Sequence, residues 1–387
     1  MKLIDVRAHK LKDRRFDNWV REVQGRWKIG DLRADPGYCN DWISFVSLAW
    51  HEESKRLYLG LTCINNDILY CYSPAEGSFR SLGFQRVADD FDAKLHRSLE
   101  IAEDGMIYVA TALLHDVDQQ HEALGGKLVR YDPTTDLYKI LAIPVPRHYI
   151  QSIILDRQRR IIYGYTYPGE YLFRYDLETH QTRSLAFIGN ALMACQSHGA
   201  ALDKRGQLWG TWGESRAFEE EVGPVPVRIF RYDPDKDRFT WFQHGFPRVN
   251  DGDPARVDEM MLGDDGFIYA GTAAGGLSRL DPETGTVEDL GKPFPGPRLA
   301  GLCQGSDGVI YGAGNSGYDK NGKGTARLFS FTPRTRKCVD LGPIVDEGIG
   351  DGATKVHKLV VAGDGTLFAG ENDNILRASY LWECRLA

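Results

Sequence analysis

The sequence predicts an all-β chain, a seven-bladed β-propeller with four-stranded antiparallel blades, and three features carry that expectation. A hairpin turn recurs as Asp104-Gly105, Arg205-Gly206, Asp265-Gly266, Asp307-Gly308 and Asp364-Gly365, each followed by a short β-rich run such as Ile107-Tyr108-Val109. Asp-Gly between apolar runs is the strongest local hairpin signal. A third-strand ending recurs as Tyr72-Ser73-Pro74, Tyr131-Asp132-Pro133, Tyr175-Asp176-Leu177, Tyr232-Asp233-Pro234, Leu280-Asp281-Pro282 and Phe331-Thr332-Pro333, at separations of 59, 44, 57, 48 and 51 residues. The mean, about 52, is close to the length of one four-stranded blade. Glycine is in excess, 42 of 387 residues, as expected where tight turns and close strand packing repeat.

Six endings and a last unit from Lys355 to Ala387 make seven repeats, giving one propeller domain over residues 41–387. Residues 1–40 are charged and lack the pattern; they are expected to pack on or close the propeller. A helix near Phe16–Val23 is predicted, with a strand at Arg26–Ile29 as the candidate to close the ring edge.

Composition excludes several classes. With 47 basic against 54 acidic residues, a net charge of −7, broad binding to nucleic acid or anionic membrane is not expected. The seven cysteines are scattered without a C-x-x-C pair, so reduced core residues are expected instead of a disulfide framework or zinc knuckle. The charged start, Met1-Lys2-Leu3-Ile4-Asp5-Val6-Arg7, lacks the apolar stretch of a signal peptide. The chain as given reads as cytoplasmic, and as secreted or periplasmic where a signal peptide has been removed.

Strand alternation predicts what lines the central channel. The first strand of each blade faces it, with every second residue inward. Taking Leu95–Ile101 as the reference strand, Arg97 aligns with Phe45, Gln151, His198, Asp258, Ala300 and His357. Two residues earlier stand Ile43, Leu95, Tyr149, Gln196, Arg256, Arg298 and Lys355. The opposite phase is apolar or small apart from His96, whose presence there calls for a bulge that re-aims it. Second-strand ends add His115, Tyr165 or Tyr167, Trp212, Arg216, Thr272, Asn315 and Asn372 to the same mouth. Such a cationic and imidazole-rich mouth suits an anionic ligand such as a uronate, because the guanidinium fork bonds both carboxylate oxygens. A base, an acid and a cation are also what β-elimination of a 4-linked uronate requires.

His96 and His115, 19 residues apart, followed by Tyr149 in the next blade and by arginines at the same mouth, resemble the propeller polysaccharide lyases, the ulvan lyases and rhamnose–glucuronate lyases. The resemblance implies a carbon–oxygen lyase in which Tyr149, His96, His115 and Arg216 are catalytic. Tyr149 and His96 exchange the proton, and His115, His198 and Arg216 hold the carboxylate. Arg97, Tyr165, Tyr167, Arg256, Arg298 and His357 add substrate contacts. The arginine that ends the tyrosine's blade in that family is replaced here by Tyr165-Thr166-Tyr167, and Arg216 is the substitute.

Other readings compete. A metal-dependent lactonase resembling the gluconolactonases would need calcium on Asp258, Glu259, Asn315 and Asn372, a set thin in carboxylates. His198, Asp258 and His357 are candidates for Zn or Mn. A lyase resembling the streptogramin-opening enzymes would use a His, a Glu and Mg. A non-catalytic binding scaffold is the third class, since fold does not imply function. Asp116, Asp118 and His121 read as a surface loop, and the Glu219-Glu220-Glu221 run as a solvated one.

Overall fold

The computed structural model describes residues 2–16, 28–190, 198–213 and 227–387. The chain is a seven-bladed β-propeller. Blade 1 is Ile43–His51, Arg56–Cys63, Leu69–Ser73 and Ser78–Ser81. Blade 2 is Leu99–Ile101, Ile107–Ala110, Leu128–Asp132 and Leu137–Ala142; blade 3 is Tyr149–Asp156, Ile161–Tyr167, Gly169–Asp176 and Thr182–Asn190. Blade 4 is Ala201–Leu202, Leu208–Trp212, Arg228–Asp233 and Arg238–Trp241; blade 5 is Val257–Leu262, Ile268–Thr272, Leu277–Leu280 and Val287–Asp289. Blade 6 is Leu299–Gln304, Ile310–Gly314, Arg327–Thr332 and Lys337–Pro343. Blade 7 takes Val356–Val361, Leu367–Glu371 and Leu381–Leu386 from the C-terminus and its outer strand, Leu3–His9, from the N-terminus.

The closing strand is therefore Leu3–His9, paired antiparallel with Leu381–Leu386, and not the segment Arg26–Ile29. Ile29 opens a short helix, Ile29–Ala34, followed by Pro36–Asp41. Residues 17–27, which carry most of the predicted helix, lie outside the described residues. His9 latches the closing strand: its Nε2 lies 2.9 Å from Glu383 Oε2, and the Tyr72 hydroxyl lies 3.0 Å from its Nδ1. The hydrogen bond from His9, helped by Arg385, holds the Glu383 carboxyl below its ordinary 4.5. A depressed carboxyl pKa stabilises the fold fully above its unfolded value, and that contribution fades as pH falls through the folded value. Amide exchange of Leu3–His9 should accordingly speed up below about pH 4.5 beyond the intrinsic rate, and Glu383→Gln should remove that acid dependence. An unchanged pH profile in the variant would remove Glu383 from the latch.

The recurring turns share one construction. Gly105, Gly206, Gly266, Gly308 and Gly365 all have positive φ, between 72° and 88°, where glycine has no Cβ penalty. Asp104, Asp265, Asp307 and Asp364 each accept the backbone N–H two residues on. In blades 1 and 3 the left-handed position is filled by Lys55 and Arg160 instead. At the third-strand ends, Asp132 Oδ1 accepts from Thr134 N and Thr135 N, and Asp233 Oδ1 from Asp235 N and Lys236 N. The preceding tyrosine reaches five residues on, Tyr131 to Asp136 at 2.8 Å and Tyr232 to Asp237 at 2.7 Å. These motifs build turns.

Two compact units divide the chain. The first holds residues 1–153, 317–326 and 343–387, and the second 154–316 and 327–342. The core of the first is built on Phe45, Leu59, Leu69, Tyr72, Val109, Tyr131 and Phe368. That of the second joins Tyr163, Tyr165 and Phe230 in one cluster and Trp209 and Met260 in another. The described cysteines, Cys39, Cys63, Cys71, Cys303, Cys338 and Cys384, are all free thiols. Among the described residues no helix is long and apolar enough to cross a membrane.

Candidate functional site

The inner strands share a device that simple alternation does not anticipate. Their register against the second strand slips by one residue between Phe45 and Ser47, Val257 and Glu259, Leu299 and Gly301, and Val356 and Lys358. Val46, Asp258, Ala300 and His357 are thus the extra residues of four β-bulges. The predicted reference strand Leu95–Ile101 is shorter in the structure, Leu99–Ile101. His96 and Arg97 form a turn ahead of it, with Arg97 at φ 45°, so a turn and not a bulge redirects His96.

In the first unit this geometry gathers His96, Arg97 and His357. The two imidazoles meet edge to face with ring centroids 4.6 Å apart, and both are buried. His96 Nδ1 donates to the Gln151 carbonyl at 2.9 Å, and His357 Nδ1 to the bulged Val46 carbonyl at 3.0 Å. Carbonyls only accept, so Nδ1 is the donor in each ring, and whenever a ring is neutral its lone pair is on Nε2. Arg97 Nη2 donates to the His357 carbonyl at 2.8 Å, and the Arg97 carbonyl accepts from Ile153 N. Arg97, predicted to touch substrate, is 7% exposed and bonded to main chain. Tyr149 opens the inner strand of blade 3, half-buried, two residues before the carbonyl that His96 binds.

His115 is not brought to His96. Ala112–Leu113 pairs antiparallel with Asp92–Lys94, Leu113 opposite Asp92 and Ala112 opposite Lys94. Each step along one strand toward His115 is a step away from His96 on the other. His115 Nδ1 donates to the Asp116 carbonyl, and the ring meets Phe91 edge-on. Asp116 in turn caps the turn Val117–Gln119 and accepts from Ile29 N, so this loop fastens the N-terminal helix.

The second unit holds the other cluster. Asp258 Oδ1 accepts from His198 Nδ1 at 3.1 Å and from Arg298 Nη2 at 3.2 Å, with His198 and Asp258 both buried. Ala273 ties the two arginine-bearing strand starts together, its N–H donating to the Arg256 carbonyl and its carbonyl accepting from Arg298 N. Tyr165 is 1% exposed and packs in the interblade core, where a Cβ on Gly210 would come within 2.6 Å of its hydroxyl oxygen. Residues 161, 163 and 165 share that packing face by alternation, so Tyr165 fills core where mouth was expected. Tyr167, one turn of the alternation further, is half-buried. Arg216, Gln196 and the Glu219-Glu220-Glu221 run lie outside the described residues.

Two buried ionic groups carry no signal in the sequence pattern. Lys127 Nζ lies 2.6 Å from Asp92 Oδ2 and 2.9 Å from Asp89 Oδ2. Burial pulls the Lys127 ammonium down, but the two carboxylates outweigh it and hold its pKa above the ordinary 10.5. Glu371 and Arg377 form the other, at the end of blade 7's second strand. Among the described residues no group of three or more His, Cys, Asp or Glu is arranged to hold a metal ion. His198 and His357, named for Zn or Mn, commit Nδ1 to Asp258 and to Val46.

No protein-family model matches the chain, and no curated protein matches it. Solved structures do. The extracellular domain of the hybrid two component system BT3049 from B. thetaiotaomicron aligns at 13% identity with a TM-score of 0.54, over 88% of this chain and 39% of that one. The chain thus spans well under half the length of that relative. A chain of the Mitotic Checkpoint Complex aligns at 14% identity with a TM-score of 0.58, over 91% of this chain and 92% of that one. In all, 1378 solved chains match, so the fold is widespread and says little about chemistry. What these neighbours share with the chain is the β-propeller fold.

Proposed function

We propose that this propeller binds an anionic oligosaccharide or polysaccharide and cleaves it beside a uronate by β-elimination. The observation that carries the reading is the fixed tautomer of His96, whose Nδ1–H is held by the Gln151 carbonyl two residues beyond Tyr149. An imidazole with an oriented Nε2 lone pair next to the strand that presents a phenol supplies a proton-exchanging pair. In the reaction a base takes the proton on C5, the C5–H electrons form the C4–C5 double bond, the C4–O bond breaks, and an acid protonates the departing oxygen. Tyr149, half-buried at a strand start, is the member of the pair that faces the sugar. His115 drops out of the catalytic set, because the strand register separates it from His96. Incubation with ulvan, gum arabic, pectin and glycosaminoglycan fragments, with and without divalent metal, should generate the ultraviolet absorbance of a 4,5-unsaturated uronate on at least one polymer. Silence on all of them ends the lyase reading.

A second reading, a non-catalytic glycan-binding module, draws on a specific observation. Arg97 and His357 are buried and bonded to main-chain carbonyls, an arrangement that serves structure as readily as chemistry. Polymer binding without product on the same panel would favour it.

A further inference from the structure

We propose that Arg256 and Arg298 form a seat for the carboxylate of a uronic acid, an inference that rests on the anionic-glycan reading. Among the described residues the Arg256 guanidinium makes no hydrogen bond or ion pair. Its Nε is enclosed without an acceptor, although the side chain is half-buried. Arginine is rarely buried without a partner, because an enclosed N–H that has left water needs an acceptor in exchange. Arg298 is half satisfied: Nη2 donates to Asp258 Oδ1, while Nε is enclosed without an acceptor.

The backbone sets the two arginines as a pair. Arg256 and Arg298 each bond the same residue, Ala273, from opposite sides at 2.8 Å and 2.9 Å. One ladder step separates each from Ala273, so their Cα atoms lie on the order of 10 Å apart, a span that two guanidinium arms close on one small anion. Asp258 orients one arm, and its own second donor, His198, keeps that carboxylate anchored from the other side. The ligand class follows from the donor shape. A guanidinium presents parallel N–H groups in one plane, matched by the two coplanar oxygens of a carboxylate.

The test is calorimetric titration of the full chain with sodium glucuronate, with glucose, inorganic sulfate and inorganic phosphate as separate arms. Glucuronate should bind and glucose should not. Arg256→Ala removes a side chain with no ionic partner, so the fold should persist while glucuronate affinity falls about tenfold or more, the effect of losing a charge-assisted bond. Arg298→Lys retains a cation for Asp258 without the fork, and it should weaken glucuronate as well. Three results overturn the seat: no glucuronate binding by the parent, affinity within twofold of the parent in a folded Arg256→Ala, or sulfate or phosphate binding more tightly than glucuronate. Glucuronate binding by a protein that makes no unsaturated product would sink β-elimination and leave the seat standing. Product formation indifferent to Arg256→Ala would do the reverse.

Discussion

Replacing Glu371 with alanine is expected to destabilise the protein by about 3–5 kcal/mol, the usual cost of leaving one partner of a buried ion pair behind. Glu371 is fully buried and Arg377 is 1% exposed. Glu371 Oε2 accepts from Arg377 Nη1 at 2.7 Å and from Tyr380 N at 2.8 Å, and Oε1 accepts from Thr354 N, Thr354 Oγ1 and Asn374 Nδ2. Arg377 also donates to Asp351 Oδ2 at 2.8 Å and stacks over the Tyr380 ring at 3.7 Å. Burial opposes its charge, but Glu371 and Asp351 outweigh that and push the guanidinium pKa further up. The alanine variant would leave that buried cation to Asp351 alone and deprive several donors of their acceptor. Its thermal midpoint should fall by several degrees, and Glu371→Leu with Arg377→Met should recover part of the loss, since an apolar pair removes the stranded charge. A fall under about 1 kcal/mol would mean that other groups hold the segment.

This network has a consequence at the mouth. The segment between Glu371 and Tyr380 carries Asn372 and Asp373, and Asp373 receives Lys355 Nζ at 2.7 Å while its N–H donates to Ser44 Oγ at 2.9 Å. Anchoring of residues 371–380 at both ends therefore helps to hold Asp373 where it meets Lys355 and Ser44.

Local grammar explains what was legible. A turn that needs a left-handed residue and an aspartate cap can be read wherever glycine supplies the first, and Gly105 and Gly266 announce their hairpins for that reason. Lys55 and Arg160 occupy the same conformation without announcing it, and their hairpins show only by the spacing of their neighbours. The closing strand was hidden because its partner, Leu381–Leu386, lies at the other end of the chain and no turn joins them. Site phase failed for a different reason. The alignment sets Phe45 beside Asp258, Ala300 and His357, which are bulge residues, but the bulged residue of blade 1 is Val46, and each extra residue breaks the period of two on which the lining was inferred. Tyr165 stands on a second strand that keeps regular register with Gly169–Asp176, so there the choice of phase failed: it follows Ile161 and Tyr163 into the core. The 19-residue spacing of His96 and His115 likewise holds no information on the antiparallel crossing between them, which carries the two apart.

On the proposed lyase reading, Tyr149→Phe is expected to lower kcat by about 10²–10⁴-fold with KM little changed, since that reading assigns the proton exchange to the hydroxyl removed. Tyr149 is half-buried, so its melting temperature should stay near that of the parent. His96 needs a subtler change, because it is 3% exposed, bonded to Gln151 and packed on His357, and alanine would unsettle all three. Asparagine places an amide N–H close to where Nδ1 stands, so His96→Asn keeps the donor to the Gln151 carbonyl and deletes the Nε2 lone pair. If His96 only braces the strand that presents Tyr149, the asparagine variant retains most of its turnover. If Nε2 exchanges the proton, turnover falls by about 10²-fold or more while stability holds, and the basic member of the pair is then His96.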